Sequence, residues 1–169
     1  MSVRVVLLLA LSLFVAACGN RNPLEVTISR CPAIAVVGDA GTLTRFGGEG
    51  RMVDDMTFTA SINDVTMDCA EGDDVRSEVT FHVDARAGAA HDGSDITLTY
   101  FVVVLKDNSQ IVSKRMFDVP LAFNSKGFAW SRQVVTQYIP TIEQARRYNY
   151  EVLLGFQLTA EDAVYNMER

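Results

Sequence analysis

The chain is poor in the residues that carry chemistry. Its 169 residues include two histidines, three cysteines and one tryptophan. No Gly-x-Ser-x-Gly nucleophile elbow occurs. Gly47-Gly48-Glu49-Gly50 lacks both a following Lys-Ser/Thr and the strand-to-helix context of a phosphate loop. Basic residues are outnumbered by acidic ones, 15 to 21, and Arg146-Arg147 is a pair rather than a patch. That balance excludes the electrostatic footprint of a nucleic-acid binder and argues against spreading on anionic lipid. No apolar run approaches the roughly 20 residues needed to span a bilayer. Neither an internal repeat nor a long Ser/Pro/Gly linker divides the chain, so its length fits one domain.

What is present begins at the N-terminus. Met1-Ser2-Val3-Arg4 is a short basic start, and the apolar residues from Val5 onward lead to Val15-Ala16-Ala17-Cys18-Gly19. A core of about eleven apolar residues followed by small residues has the form of a cleaved signal. The Cys directly after Val-Ala-Ala resembles the lipobox of bacterial lipoproteins, with Val15 where Leu is usual. The resemblance implies diacylation of the Cys18 thiol, cleavage before Cys18 and acylation of the new amine. The expected boundaries are a signal peptide over 1–17, a lipidated tether over 18–30 and a domain over 31–169. An ordinary secretory signal and an uncleaved anchor are the alternatives. Several acyl chains on one residue anchor a protein stably, since each buried methylene contributes about 0.8 kcal/mol. In enteric-type lipoproteins Asp after the lipidated Cys retains the protein at the inner membrane. Gly19 therefore points to the outer membrane, on the leaflet facing the periplasm. Residues 19–30 reach at most about 40 Å, which holds the domain close to its membrane. Without residues 1–17, which hold one arginine and no acid, the charge is 14 basic against 21 acidic, or −7.

With Cys18 assigned to lipid, Cys31 and Cys69 remain as an even pair in an oxidising compartment, and we expect a disulfide. Two buried free thiols are the alternative. Two cysteines without nearby His or further Cys make a poor metal site.

From Cys31 onward the periodicity is that of strands. Val79, Phe81, Val83 and Ala85 alternate with Glu78, Thr80, His82, Asp84 and Arg86. Met56, Phe58, Ala60 and Ile62 alternate with polar residues, the phase slips at Asn63-Asp64, and Val65, Met67 and Cys69 continue it. Such a slip predicts a bulge or bend. Glu71 to Asp74 reads as a turn. Residues 96–105 are apolar on both faces, so Phe101, Val103 and Leu105 are either covered within the domain or form a partner or lipid site. Lys106 to Gln110 predicts a turn into a strand over 111–123, completing a central hairpin. Residues 129–138 place Trp130, Val134 and Tyr138 in one phase, and 148–158 form the last clear strand. Thr141-Ile142-Glu143-Gln144 and Thr159-Ala160-Glu161-Asp162 are capping-box patterns that predict short helical turns over 142–147 and 160–166. Seven or eight strands at this spacing predict an all-β, antiparallel β-sandwich, with a closed barrel as the alternative.

Ile142 precedes Tyr148 by six residues, and Glu151-Val152-Leu153-Leu154-Gly155-Phe156 follows. This resembles the fibronectin type III and immunoglobulin-like group, and implies that Tyr148 opens the penultimate strand as a tyrosine corner. The Cys–Trp–Cys core of antibody-type domains is missing, since Cys31 precedes the first strand and the tryptophan is Trp130. Tyr100-Phe101-Val102-Val103-Val104, Lys114 to Pro120 and Gly155-Phe156-Gln157-Leu158-Thr159 are similar to a family of small alphaproteobacterial lipoproteins. No activity comes with that resemblance.

Candidate chemistry is thin. His82 and Asp84 share a strand face and suggest a weak metal or acid–base site, against the alternative of a solvated face. His91 lies in a loop. Asp54-Asp55, Asp73-Asp74 and Glu161-Asp162 are adjacent acids, and neighbours on a strand point to opposite faces, so none is a catalytic pair by itself. Asp73-Asp74 would suit a calcium loop or a plain turn. The reading is a non-enzymatic, membrane-anchored envelope lipoprotein, with no cofactor or metal, acting as a binding or assembly accessory to an envelope protein. A periplasmic carrier of a lipid or other apolar ligand is the alternative, and a hydrolase of envelope polymers is a third.

Overall fold

The computed structural model describes residues 29–48 and 50–168. The expected signal peptide over 1–17 and the lipidation position Cys18 lie outside the described residues.

Eight strands form two open four-stranded sheets. One sheet orders β2 (Thr42–Phe46), β3 (Met56–Glu71), β4 (Val75–Ala87) and β7 (Phe128–Ile139). The other orders β1 (Ala33–Val36), β8 (Tyr150–Phe156), β5 (Ile96–Lys106) and β6 (Gln110–Leu121). The architecture is thus a β-sandwich, and the barrel alternative falls. One pairing departs from the antiparallel expectation: β1 runs parallel to β8, from Ala33 opposite Glu151 to Val36 opposite Leu154. After β1 the 3-10 turn Gly38–Ala40 carries the chain into β2 of the facing sheet.

Local chemistry accounts for the joints. The slip within β3 is a register shift between Asn63 and Thr66, with Asp64 in the left-handed region at φ 51°. Asp107 and Asn108 both take positive φ, 53° and 58°, as a type I′ hairpin turn requires. Both helical turns form where the capping patterns stand, as α1 (Ile142–Arg147) and α2 (Ala160–Met167). The Thr141 hydroxyl accepts from the Gln144 N–H, and Thr159 and Asp162 complete a reciprocal capping box.

The core lies between the sheets. Phe81, Tyr100, Leu121, Leu154 and Phe156 fill its centre, each almost fully buried. Tyr100 and Phe81 meet edge to face at 5.2 Å. The Tyr100 hydroxyl donates to Gln133 Oε1 at 3.0 Å, and Gln133 Nε2 donates to Ser131 Oγ at 2.8 Å. Burial pushes the Tyr100 hydroxyl pKa up, so it stays a donor. The core-facing side of β7 is thereby partly polar, which leaves its larger apolar residues on the other face.

On β5, Tyr100, Val102 and Val104 enter the core. Val103 on the opposite face is also buried, and Phe101 and Leu105 are half-buried. The Phe101 ring lies over Gly155, where a Cβ would come within 2.6 Å of it. Cover of this face therefore comes largely from its own neighbours.

Candidate functional site: an open edge of the sandwich

The two lateral sides of the sandwich differ. On the β2 side, α2 packs against β2 and the Gly38–Ala40 turn. Asp162 pairs with Arg45, and Glu161 with Arg51 at 2.8 Å. Tyr165 meets Phe46 edge to face at 5.3 Å, and Asn166 Nδ2 donates to the main-chain oxygens of Asp39 (2.7 Å) and Thr42 (2.9 Å). The helix covers that edge.

The opposite side is formed by β6 and β7, the last strands of their sheets. There β7 has a side that no strand of its own sheet pairs. The Phe128, Thr136 and Tyr138 carbonyls accept from the Asn124 N–H, Arg115 Nη2 and Gln137 Nε2. Main-chain groups alternate sides along a strand, so the even-numbered residues of β7 direct theirs away from β4. Between the occupied ends, Trp130, Arg132 and Val134 present N–H and C=O to the open edge.

Side chains reinforce this. Among the described residues ten large hydrophobic side chains are exposed, and six lie on these two strands: Ile111, Val112, Met116, Trp130, Val134 and Tyr138. Trp130 is 60% exposed and Tyr138 52%. Trp130, Val134 and Tyr138 share the outer face of β7, while Ile111 and Met116 stand on the outer face of the other sheet. An apolar group on one face marks an interaction surface, whereas scattered exposed apolar residues do not. Trp, Tyr, Met and Arg are the types enriched at interfaces.

Two arginines stand at this edge, Arg115 on β6 and Arg132 on β7, while Lys114 lies on the outer face of its own sheet, 5.4 Å from the Phe101 ring centroid. Thr99 Oγ1 donates to Asp118 at 2.6 Å, and Arg132 Nη2 donates to Thr80 Oγ1 at 3.1 Å. The Arg115 guanidinium reaches from β6 to β7 and lies 5.5 Å from the Phe117 ring centroid. Beside the edge, a recess of about 710 Å³ on the outer sheet face is bounded by Asp68, Ala70, Arg76, Glu78, Thr136 and Tyr138. Arg76 stacks 5.3 Å from the Tyr138 ring centroid, and its bond to Asp74 holds that carboxyl below the ordinary range.

Of the other anticipated residues, His82 and Asp84 of β4 lie beside this edge, opposite Arg132 and Trp130, with the His82 ring 5.5 Å from that of Trp130. The rest lie elsewhere. Cys31 and Cys69 form a disulfide, with an S–S distance of 2.01 Å, joining the approach to β1 with the end of β3. Ser29 Oγ and the Arg30 N–H bond Glu71 at 2.9 and 2.8 Å, so the last two residues of the expected tether already rest on β3. Tyr148 ends α1 and precedes β8, the last strand among the described residues, rather than the penultimate strand that the resemblance implies. Its hydroxyl makes no main-chain hydrogen bond among the described residues, and the Lys106 ammonium lies 3.5 Å from its ring centroid.

His82 Nδ1 faces Asp64 Oδ2 at 3.3 Å rather than Asp84, whose carboxylate accepts from Asn63 Nδ2 at 2.9 Å. The β3 bulge brings Asp64 to that position. No group of three metal-ligating side chains occurs among the described residues. His91 packs its ring 4.3 Å from that of Phe123, with Nε2 buried and unpartnered among the described residues. Asp74, Glu161 and Asp162 are engaged by arginines, which leaves the adjacent-acid pairs scattered. No known protein family, curated protein or solved structure matches this chain.

Proposed function

We propose that the chain is a non-enzymatic binding or assembly module of the bacterial envelope, anchored through acyl chains on Cys18 at the periplasmic leaflet of the outer membrane. The observation that carries this reading is the open edge of β7, where exposed Trp130, Val134 and Tyr138 share one face with Arg132 and Arg115 reaches across from β6. The catalytic inventory is thin: beyond the His82–Asp64 pair, the acids singled out in the sequence are spread over separate parts of the fold. The carrier alternative needs space between the sheets, and Phe81, Tyr100 and Phe156 fill that space.

Two measurements on cells producing the protein test this. Cys18→Ala should release the domain from the membrane fraction or stall its processing, and unchanged membrane attachment would remove the lipid anchor. Crosslinking of the Cys18-anchored protein should capture a stoichiometric envelope protein. Retention of a lipid on the purified protein, with no protein partner, would favour the carrier instead.

A further inference from the structure

We infer that the free edge of β7 accepts an extended acidic segment of its partner by strand addition. This deepens the module reading and rests on it. The attachment groups are the N–H and C=O of Trp130, Arg132 and Val134, which the alternation of main-chain direction turns away from β4. An added strand would pair with them as peptides do with exposed sheet edges.

Charge selects the occupant. Arg132 sits at the centre of the free stretch and Arg115 reaches across from β6 to the Thr136 carbonyl, while β7 itself holds no acid and Glu78 and Asp84 of β4 sit one strand further in. A second copy of this chain is disfavoured. Antiparallel pairing of β7 with itself about Arg132 sets the two Arg132 side chains opposite each other, and like charges directly opposite destabilise a sheet. A strand bearing carboxylates meets the same position favourably. Trp130 and Val134, on the face shared with Arg132, give its apolar side chains contact area.

The test titrates the full chain, held in a non-ionic detergent micelle, with a short blocked peptide of alternating valine and glutamate, and with its valine–lysine counterpart. The glutamate peptide should bind saturably, roughly three- to tenfold tighter than the lysine peptide. It should also slow hydrogen exchange at the amides of Trp130, Arg132 and Val134. Arg132→Glu should invert the preference. Val134→Pro removes an N–H that faces the open edge, a position where a sheet tolerates proline, so it should keep its melting temperature and lose the peptide. Equal affinity for the two peptides, protection of other amides, or slowing of these amides by anionic phospholipid vesicles but not by peptide would each overturn the inference. A failed titration beside a partner captured in cells removes strand addition and leaves the module reading standing. Absence of any captured partner removes the module reading itself.

Discussion

Cys31 and Cys69 sit 38 residues apart and close a loop that contains β1, β2 and most of β3. Cross-linking reduces the entropy of the unfolded chain, and a loop of this size contributes about 4 kcal/mol before any native strain. Cys31→Ser should therefore lower unfolding stability by about 2–4 kcal/mol in denaturant titration. An unchanged midpoint, with reductant also without effect on the parent protein, would contradict this. The pairing was legible from cysteine parity and the expected compartment. The partner of His82 was not, because a bulge gives Asp64 a position that regular alternation assigns elsewhere. Trp130 illustrates another limit. Period-two spacing groups Trp130, Val134 and Tyr138 on one face but does not say which face meets the core. That depends on Tyr100, whose buried hydroxyl takes Gln133 as acceptor and so turns the polar side of β7 inward.

Among the elements, α2 has the clearest electrostatic attachment. Burial, the largest single influence, opposes ionisation of Asp162, but the Thr159 bonds and Arg45 together outweigh it and hold the carboxyl below its ordinary value. The folded pKa is thus lower than the unfolded one. Its stabilisation is complete above the unfolded value of about 3.9 and is lost as pH falls through the folded value. Hydrogen exchange of the α2 amides should accelerate at that acid end ahead of those in β4. Asp162→Ala should show faster α2 exchange already at neutral pH, with a loss of about 1 kcal/mol from the broken cap. Equal protection of α2 in the two proteins at neutral pH would contradict this role. Both helices were legible because a capping box is a local signal. The parallel β1–β8 pairing was not, since it joins segments at opposite ends of the domain and no local pattern encodes that contact.

Across the whole molecule the sandwich is asymmetric. A helix seals the β2 edge, while the β6–β7 edge keeps unpaired main-chain groups of β7, the exposed Trp130 and Tyr138, and the arginines Arg115 and Arg132. Unprotected edges are an aggregation hazard that proteins ordinarily blunt. Arg132 and Arg115 deter self-pairing here while leaving the edge open to a partner of opposite charge. Sequence alone conveyed the sandwich class, because strand alternation is periodic. It could not convey the edge, because Arg115 reaches β7 only when β6 and β7 become the last strands of facing sheets. The most direct measurement of the central claim is in-cell photocrosslinking from a reactive residue placed at Val134, with the same residue at exposed Arg146 as control and Cys18 intact. The account predicts a discrete envelope-protein adduct from Val134 and none from Arg146. Adducts from Arg146 alone, or none from Val134 while crosslinking elsewhere captures a partner, would contradict it.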